Sequence, residues 1–371
     1  DCTVCGPECS EVPGLPHFCG DGVLDAPETC DDGNDLRADD CFECVPQRPA
    51  LCAPDACVPP RTAQRFAALL GSPLAAGPPV EQAGWGKAVA ADSDTVVVGA
   101  DEFTVDGVVT GGAFVFERAG GAWALAQVLT PVDGIAGRCG RSVAVDGDTA
   151  LLGCPGSVLV FERGAGGAWA LAAELGGDEP ARAGLFGAAL AISGDVVVVG
   201  APLADTAGER AGEAFIFRRD ANGEWGGSAV LGTDTGADDG FGAAVAVDGE
   251  VVVVGAPQHR LELPTEGAAY VFEPGDGGAW SQTAKLTANP RWREQRDADF
   301  GVSVAVSGAR ILVGCPRCAP VSNFTGAVVE FTRDGAGWED DGVLRPPPGN
   351  YGFGRAVAMD GSVALVGSNA I

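Results

Sequence analysis

One string of residues recurs six times along the chain, and this repeat limits the possible folds more than any other feature. Each copy joins an SVAV-like run to a VVVVGAP-like run through a short polar segment. A second string, which ends in Trp, follows each of the first five copies. The copies begin at Trp85, Cys139, Phe186, Phe241, Phe300 and Phe353, and the second strings end at Trp123, Trp169, Trp225, Trp280 and Trp338.

The pattern of each complete repeat predicts four short strands. The two apolar runs are typical of buried strands, and the Asp-Gly or Ser-Gly between them predicts a two-residue hairpin turn. The second string supplies two further strands around a Gly-rich turn. A four-stranded unit of about 50 residues is typical of a propeller blade, which cannot bury both its faces alone. The sequence therefore predicts an all-β fold, a β-propeller of four-stranded blades.

The number of blades follows from the ends of the repeat region. Five copies are complete, and the sixth stops at Ile371 after two strands. Residues 64–70, QRFAALL, resemble a fourth strand, so we expect them to close the ring against the C-terminal strands. Six blades are favoured, and seven are expected if the native chain continues beyond Ile371.

The cysteines predict a second, smaller module. Nine of the 13 lie in the first 57 residues, which contain few large apolar side chains. We expect a disulfide-rich acidic module over residues 1–60 and the propeller over residues 61–371. Zinc remains the competing interpretation of the C-x-x-C pairs. Because nine is odd, one thiol is free, paired to another chain or paired to residues outside this sequence. An oxidising location follows: secreted, cell-surface or periplasmic.

Two disulfides are expected within the propeller. With Asp146-Gly147 as the hairpin turn, Cys139 lies opposite Cys154, close enough for a disulfide after a slight adjustment or a bulge. The residue opposite Cys315 is Phe300, so Cys318, three residues further on, is the expected partner of Cys315.

Composition and motifs exclude several functions. The formal charge of −28 argues against nucleic acid and anionic membranes as partners. No apolar run is long enough for a membrane helix. The chain has two histidines, and it carries no P-loop, dinucleotide, zinc-protease or nucleophile-elbow motif. We therefore expect a protein that is not an enzyme.

Two features of the loops are candidate sites. The loops between strands two and three, and those between blades, share one face of a propeller, which usually carries ligands. One of these loops holds a basic and aromatic cluster in an otherwise acidic protein, and such residues are enriched at binding hot spots. The alternative is local pairing with neighbouring acids. The cluster is Arg291, Trp292, Arg293 and Arg296, and a glycosylation sequon lies at Asn323.

The repeated strings resemble FG-GAP repeats. Phe186-Gly187 with Gly200-Ala201-Pro202 matches the motif fully, as does the copy that begins at Phe241. This family is best known from the propeller head of integrin α chains and occurs in secreted proteins. Its calcium-binding members carry an Asp-rich loop between strands one and two. That loop is only two residues here, too short to supply six oxygen ligands, so we expect no calcium in the blades.

The segment from Cys19 to Cys44 resembles the Myxococcus-type cysteine-rich repeat of extracellular proteins, CGDG…CDDGN. We expect no cofactor in the propeller, and calcium is a candidate ligand of this module alone. The alternative is an acidic, solvated loop held by disulfides. The candidate ligands are Asp21, Asp31, Asp32, Asn34, Asp39 and Asp40.

Together these features indicate a secreted or cell-surface protein for adhesion or assembly, without enzymatic activity. The expected partners are other proteins, glycans or further copies of the chain in a filament, matrix or surface appendage. The alternative is a polysaccharide hydrolase or lyase that uses carboxylates of the propeller loops.

Overall fold

The computed structural model describes residues 84–131, 137–176, 184–231, 233–260, 266–275, 277–288, 298–318, 325–335, 337–346 and 350–370, with four short strands nearer the N-terminus. The chain divides into two compact units, Asp1–Gln64 with Pro320–Asn323, and Arg65–Ala319 with Phe324–Ile371. In the first unit, β1 (Cys41–Phe42) pairs with β2 (Val45–Pro46), and β3 (Cys52–Ala53) pairs with β4 (Ala56–Cys57). The predicted boundary after residue 60 falls outside the described residues.

The second unit is an all-β propeller, as the repeat predicts. Five antiparallel sheets each contain four strands in chain order, from the propeller axis outwards. A small hairpin of β7 (Thr104–Val105) and β8 (Val108–Val109) extends one loop of sheet 1. The strands are β5 (Trp85–Asp92), β6 (Thr95–Ala100), β9 (Gly112–Ala119) and β10 (Ala122–Leu129) in sheet 1; β11 (Val143–Asp146), β12 (Thr149–Cys154), β13 (Ser157–Arg163) and β14 (Trp169–Gly176) in sheet 2; β15 (Ala189–Ser193), β16 (Val196–Ala201), β17 (Glu213–Arg219) and β18 (Trp225–Val230) in sheet 3; β19 (Ala244–Asp248), β20 (Val251–Ala256), β21 (Ala268–Pro274) and β22 (Trp280–Leu286) in sheet 4; and β23 (Val304–Ser307), β24 (Arg310–Cys315), β25 (Ala327–Asp334) and β26 (Gly337–Leu344) in sheet 5.

The sixth sheet contains β27 (Asn350–Asp360) and β28 (Val363–Ala370), and within the described residues β28 pairs only with β27. Leu365 on β28 is 57% exposed, although its equivalents in the other five sheets are fully buried. Val89 on β5 is also largely exposed. The edge of sheet 6 and the first strand of sheet 1 therefore leave apolar side chains uncovered by the described residues. The predicted closing strand, residues 64–70, lies outside those residues. The five equivalents are Val97, Leu151, Val198, Val253 and Leu312.

The core lies between successive sheets. The second strands are buried on both faces, as their continuous apolar runs predict. Between sheets 2 and 3, for example, Leu151 and Val158 pack with Phe186 and Phe215. Phe186 also meets Phe215 edge to face, with ring centroids 5.3 Å apart. The Phe of each FG pair is thus a core residue that joins its own sheet to its neighbour.

The hairpin turns differ by one residue from the prediction. In sheet 2, Asp146 pairs with Thr149, so the turn is Gly147-Asp148 and not Asp146-Gly147. The same shift occurs in every sheet from the second to the sixth. Gly147 has a φ of 55°, and this positive φ is what a type I′ or II′ hairpin requires at its first turn position.

Cys139 nevertheless lies beside Cys154, and the two form a disulfide with their Cα atoms 4.1 Å apart. Near the turn, paired residue numbers add up to 295, as in Val143 with Leu152. The amide of Gly140 bonds to the carbonyl of Gly153, and this pair adds up to 293. An irregularity at residues 140–142 thus restores the alignment of the two cysteines. Cys315 and Cys318 form the second disulfide of the described residues.

Two polar contacts recur between neighbouring sheets. The last side chain of a first strand accepts a hydrogen bond from the Gly amide in the next sheet's turn, as Asp92 does from Gly147. At the opposite edge, Arg163 stacks on Trp169, 5.2 Å from the ring centroid, and pairs with Glu117 of sheet 1. The repeated tryptophans therefore help to join the sheets. The other turn contacts are Asp146 with Gly194, Ser193 with Gly249, Asp248 with Gly308 and Ser307 with Gly361.

Candidate functional site

The loops between second and third strands and the connections between sheets meet at one end of the propeller, which we call the loop face. Parallel bridges show the meeting: Gly212, just before β17, pairs with Phe241 at the entry to sheet 4, and Gly267 pairs with Phe300. Side chains from distant parts of the sequence therefore come together at this end.

A central cavity of about 380 Å³ opens along the propeller axis. Residues at the start of the first strand of all six sheets line it, which places the sheets around one axis. Most of these side chains are small and apolar. Because each first strand begins where the chain arrives from the loop face, these residues lie near that end of the axis. The lining residues are Ala88 and residues 141–143, 188–190, 244–245, 302–304 and 355–357.

The charge of the cavity wall contrasts with that of the chain. Arg141 and Arg355 line the cavity, and none of its described lining residues is acidic. Arg141 contacts Asp101, with Nε 3.6 Å from Oδ2. Lys87 occupies the equivalent position on sheet 1 and is exposed. In a protein with 51 acidic and 23 basic residues, this wall is locally basic.

The loop face also holds a network of titratable side chains that centres on Lys285. Its Nζ lies 2.9 Å from Oδ2 of Asp234 and 2.8 Å from Nε2 of His259. His259 Nδ1 lies 2.6 Å from Oδ2 of Asp239, which also accepts a hydrogen bond from the amide of Gly236. Both His259 and Asp239 are buried. The network therefore ties the connection between sheets 3 and 4 to a loop and a strand of sheet 4.

The network leaves no free general base among these groups. Because an ammonium can only donate, His259 Nε2 accepts from Lys285 and Nδ1 donates to Asp239. Tyr270 donates its hydroxyl to Asp234 Oδ1 at 2.8 Å, and burial, followed by this hydrogen bond, raises the pKa of Tyr270. Burial alone would raise the pKa of Asp234, but the hydrogen bonds from Lys285 and Tyr270 outweigh it and lower that pKa. A glycosidase acid needs the opposite, a carboxyl whose pKa is raised.

Replacing Lys285 with methionine is expected to lower the free energy of unfolding by about 1–2 kcal/mol, because buried His259 Nε2 loses its donor. Lys87→Met is the matched control, since Lys87 is exposed and has no partner among the described residues; its effect is expected within about 0.5 kcal/mol. Urea denaturation followed by tryptophan fluorescence measures both.

The pH dependence provides a second check on the same variant. The pKa of Asp234 is lower when the protein is folded, so its pairing with Lys285 stabilises the fold above the ordinary value of 3.8 and is lost as the pH falls below it. The difference between wild type and Lys285→Met should therefore shrink in that acidic range. Equal stabilities for the Lys285 and Lys87 variants at neutral pH would contradict the assigned contacts.

Several residues selected from the sequence lie outside the described residues. These are the basic and aromatic cluster Arg291, Trp292, Arg293 and Arg296, the sequon residue Asn323, and the calcium candidates Asp21, Asp31, Asp32, Asn34, Asp39 and Asp40. In the described part, no group of three or more His, Cys, Asp or Glu side chains is arranged to hold a metal ion. No helix there has the length and hydropathy that crossing a membrane requires.

Sequence reasoning missed both the basic cavity wall and the Lys285 network. A signal for the network was the rarity of its members, because the chain has two residues each of lysine, histidine and tyrosine. One of each takes part. Basic residues at the third position of three repeats were the signal for the cavity wall.

Comparison with known proteins bears on the central repeats. Residues 169–217 and 228–272 match the FG-GAP repeat. These segments include the two copies in which the Phe-Gly and Gly-Ala-Pro strings are complete. No curated protein matches the sequence.

Two solved structures resemble the fold at low identity. One is a putative 6-phosphogluconolactonase from Bacteroides uniformis, with 14% identity, a TM-score of 0.49, and coverage of 76% of this chain and 77% of that one. The other is a periplasmic gluconolactonase from Pseudomonas aeruginosa, with 15% identity, a TM-score of 0.49, and coverage of 71% and 73%. Likenesses of this strength carry no argument about function.

Proposed function

We propose that this chain is a secreted or cell-surface module for adhesion or assembly that has no enzymatic activity of its own. It binds other proteins, glycans or further copies of itself through the loop face of the propeller. The match to FG-GAP repeats supports a propeller scaffold of the kind found outside cells. The disulfides Cys139–Cys154 and Cys315–Cys318 fit an oxidising compartment.

The observation that carries the proposal is the contrast between the two features of the loop face. The titratable groups around Lys285 satisfy one another, so they hold the loops in place and leave no free base. The cavity on the propeller axis is open and lined by small and basic side chains, which suits the binding of a ligand.

Binding and turnover are separated by one set of assays on the full chain. The chain is mixed with acidic and neutral polysaccharides, and complexes are detected by affinity electrophoresis while self-association is followed by sedimentation velocity. We expect a complex or self-association, with no new reducing ends and no unsaturated sugar products. Release of either product would support the alternative, a polysaccharide hydrolase or lyase. The absence of both binding and self-association would contradict the proposed function.

A further inference from the structure

The third position of the repeated string is basic in three sheets only. Lys87, Arg141 and Arg355 occupy it in sheets 1, 2 and 6. The equivalent residues in sheets 3, 4 and 5 are Ala188, Ala243 and Val302. Arg141 and Arg355 both line the cavity, and Lys87 holds the same position of the repeat next to the lining residue Ala88, so we call these three residues the basic arc.

Most of the described cations of the propeller pair with a carboxylate, whereas two of the three residues in the basic arc do not. Arg118, Arg163 and Arg333, for example, each pair with a carboxylate. Arg355 and Lys87 have no carboxylate partner within the described residues. Arg141 is closest to Asp101 through Nε, which lies 3.6 Å from Oδ2 and is too distant for a hydrogen bond. The arc therefore keeps unused hydrogen-bond donors in a wall without acidic lining residues.

These donors suit one chemical class of ligand. Guanidinium groups bind planar carboxylates and tetrahedral sulfates through paired hydrogen bonds, which are stronger when both partners are charged. The cavity of about 380 Å³ admits one or two sugar rings and excludes a folded protein domain. The other side chains that line the cavity are small and mostly apolar, so they limit the size of the ligand and carry no charge that competes for it.

We propose that the basic arc, Lys87, Arg141 and Arg355, is a binding site for an oxyanion, the carboxylate or sulfate group of a small acidic ligand. The inference rests on the proposed function, since it assigns a ligand class to the loop face. The oxyanion comes either from an acidic glycan or from a free anion, and the two sources share the same chemistry at the arginines. The ligand enters the axis from the loop face, with its charged group towards sheets 6, 1 and 2.

Isothermal titration of the full chain tests this assignment with trigalacturonate, sodium sulfate and neutral galactotriose. We expect trigalacturonate or sulfate to bind and galactotriose not to bind. The double variant Arg141→Gln/Arg355→Gln should lower the affinity for the anion about tenfold or more. Raising sodium chloride from about 20 mM to about 200 mM should also weaken binding, because exposed charges are screened. Tighter binding of the trisaccharide than of sulfate identifies a glycan source, and the reverse identifies a free anion.

Two further variants control for net charge and for folding. Arg118→Gln/Arg218→Gln removes the same charge from arginines that pair with Asp94 and Glu250, away from the cavity, and should leave the affinity within about twofold. Lys87→Gln alters an exposed side chain of the arc and should lower affinity without affecting the melting temperature. Equal losses in both double variants, or no anion binding at all, would overturn the site. If anion binding fails while self-association or neutral-glycan binding persists, the proposed function stands and only the oxyanion site is lost.

Discussion

Replacing Gly200 with alanine is expected to lower the free energy of unfolding by about 3 kcal/mol or more, because sheets 3 and 4 can no longer approach each other. Gly200 is the glycine of the Gly-Ala-Pro string at the end of β16. A Cβ at this position would meet the carbonyl oxygen of Gly242, in the Phe-Gly pair of the next sheet, far inside van der Waals contact. Since that oxygen belongs to the backbone, no side-chain rotation relieves the clash.

Gly226→Ala is the matched control for this prediction. Gly226 lies in β18, and a Cβ there would have nothing within 4 Å. Its replacement should change the unfolding free energy by less than about 0.5 kcal/mol. Equilibrium urea denaturation compares the two variants with wild type. A transition midpoint for Gly200→Ala that equals that of Gly226→Ala would show that the sheets do not depend on this approach.

Removing the disulfide between Cys139 and Cys154 with paired alanines is expected to cost about 3 kcal/mol, because the bond closes a loop of 15 residues in the unfolded chain. The Cys315–Cys318 disulfide spans three residues, and its removal should cost about 2 kcal/mol in the same chain-entropy model. Calorimetry of the two double variants measures the difference. A larger loss for the shorter loop would contradict the loop-closure account.

A second variant separates loss of the bond from loss of packing. Cys139 stands where Phe186 stands in sheet 3, and Cys154 stands where Ala201 does. Cys139→Phe/Cys154→Ala therefore writes the complete repeat motif into sheet 2. We expect it to be more stable than the paired-alanine variant, because the ring fills the space between sheets and buries apolar surface. A lower stability would show that sheet 2 is shaped around the disulfide.

The sheets could be predicted because the repeat appears six times, and each copy carries the apolar runs of a buried strand. The exact hairpin turn could not. Moving a turn by one residue changes each pairing by two positions, so every side chain stays on the same face of the sheet. The hydrophobic pattern is therefore identical for Asp146-Gly147 and Gly147-Asp148. The hydrophobic pattern does not reveal the irregularity at residues 140–142 either. This irregularity offsets the wrong turn position, so the predicted alignment of Cys139 with Cys154 is still correct.

The candidate site could not be predicted from the repeat, and the reason is different. Asp234, His259 and Lys285 belong to loops and a strand end that the copies do not share. Their contacts join residues 20 to 51 positions apart, and only the folded sheets bring them together. The cavity wall is intermediate, since its positions are repeated but its basic residues occur in three copies. The repeat therefore predicts the sheets, whereas the candidate site consists of residues that differ between the copies.

The glycine contact between sheets has a consequence for how such chains evolve. Main-chain atoms of Gly200 and Gly242 approach each other closely, and the same contact recurs at Gly255 with Gly301 and at Gly314 with Gly354. A duplicated repeat therefore brings both glycines of this contact with it. Loops are then free to diversify under selection while the number of copies grows or shrinks.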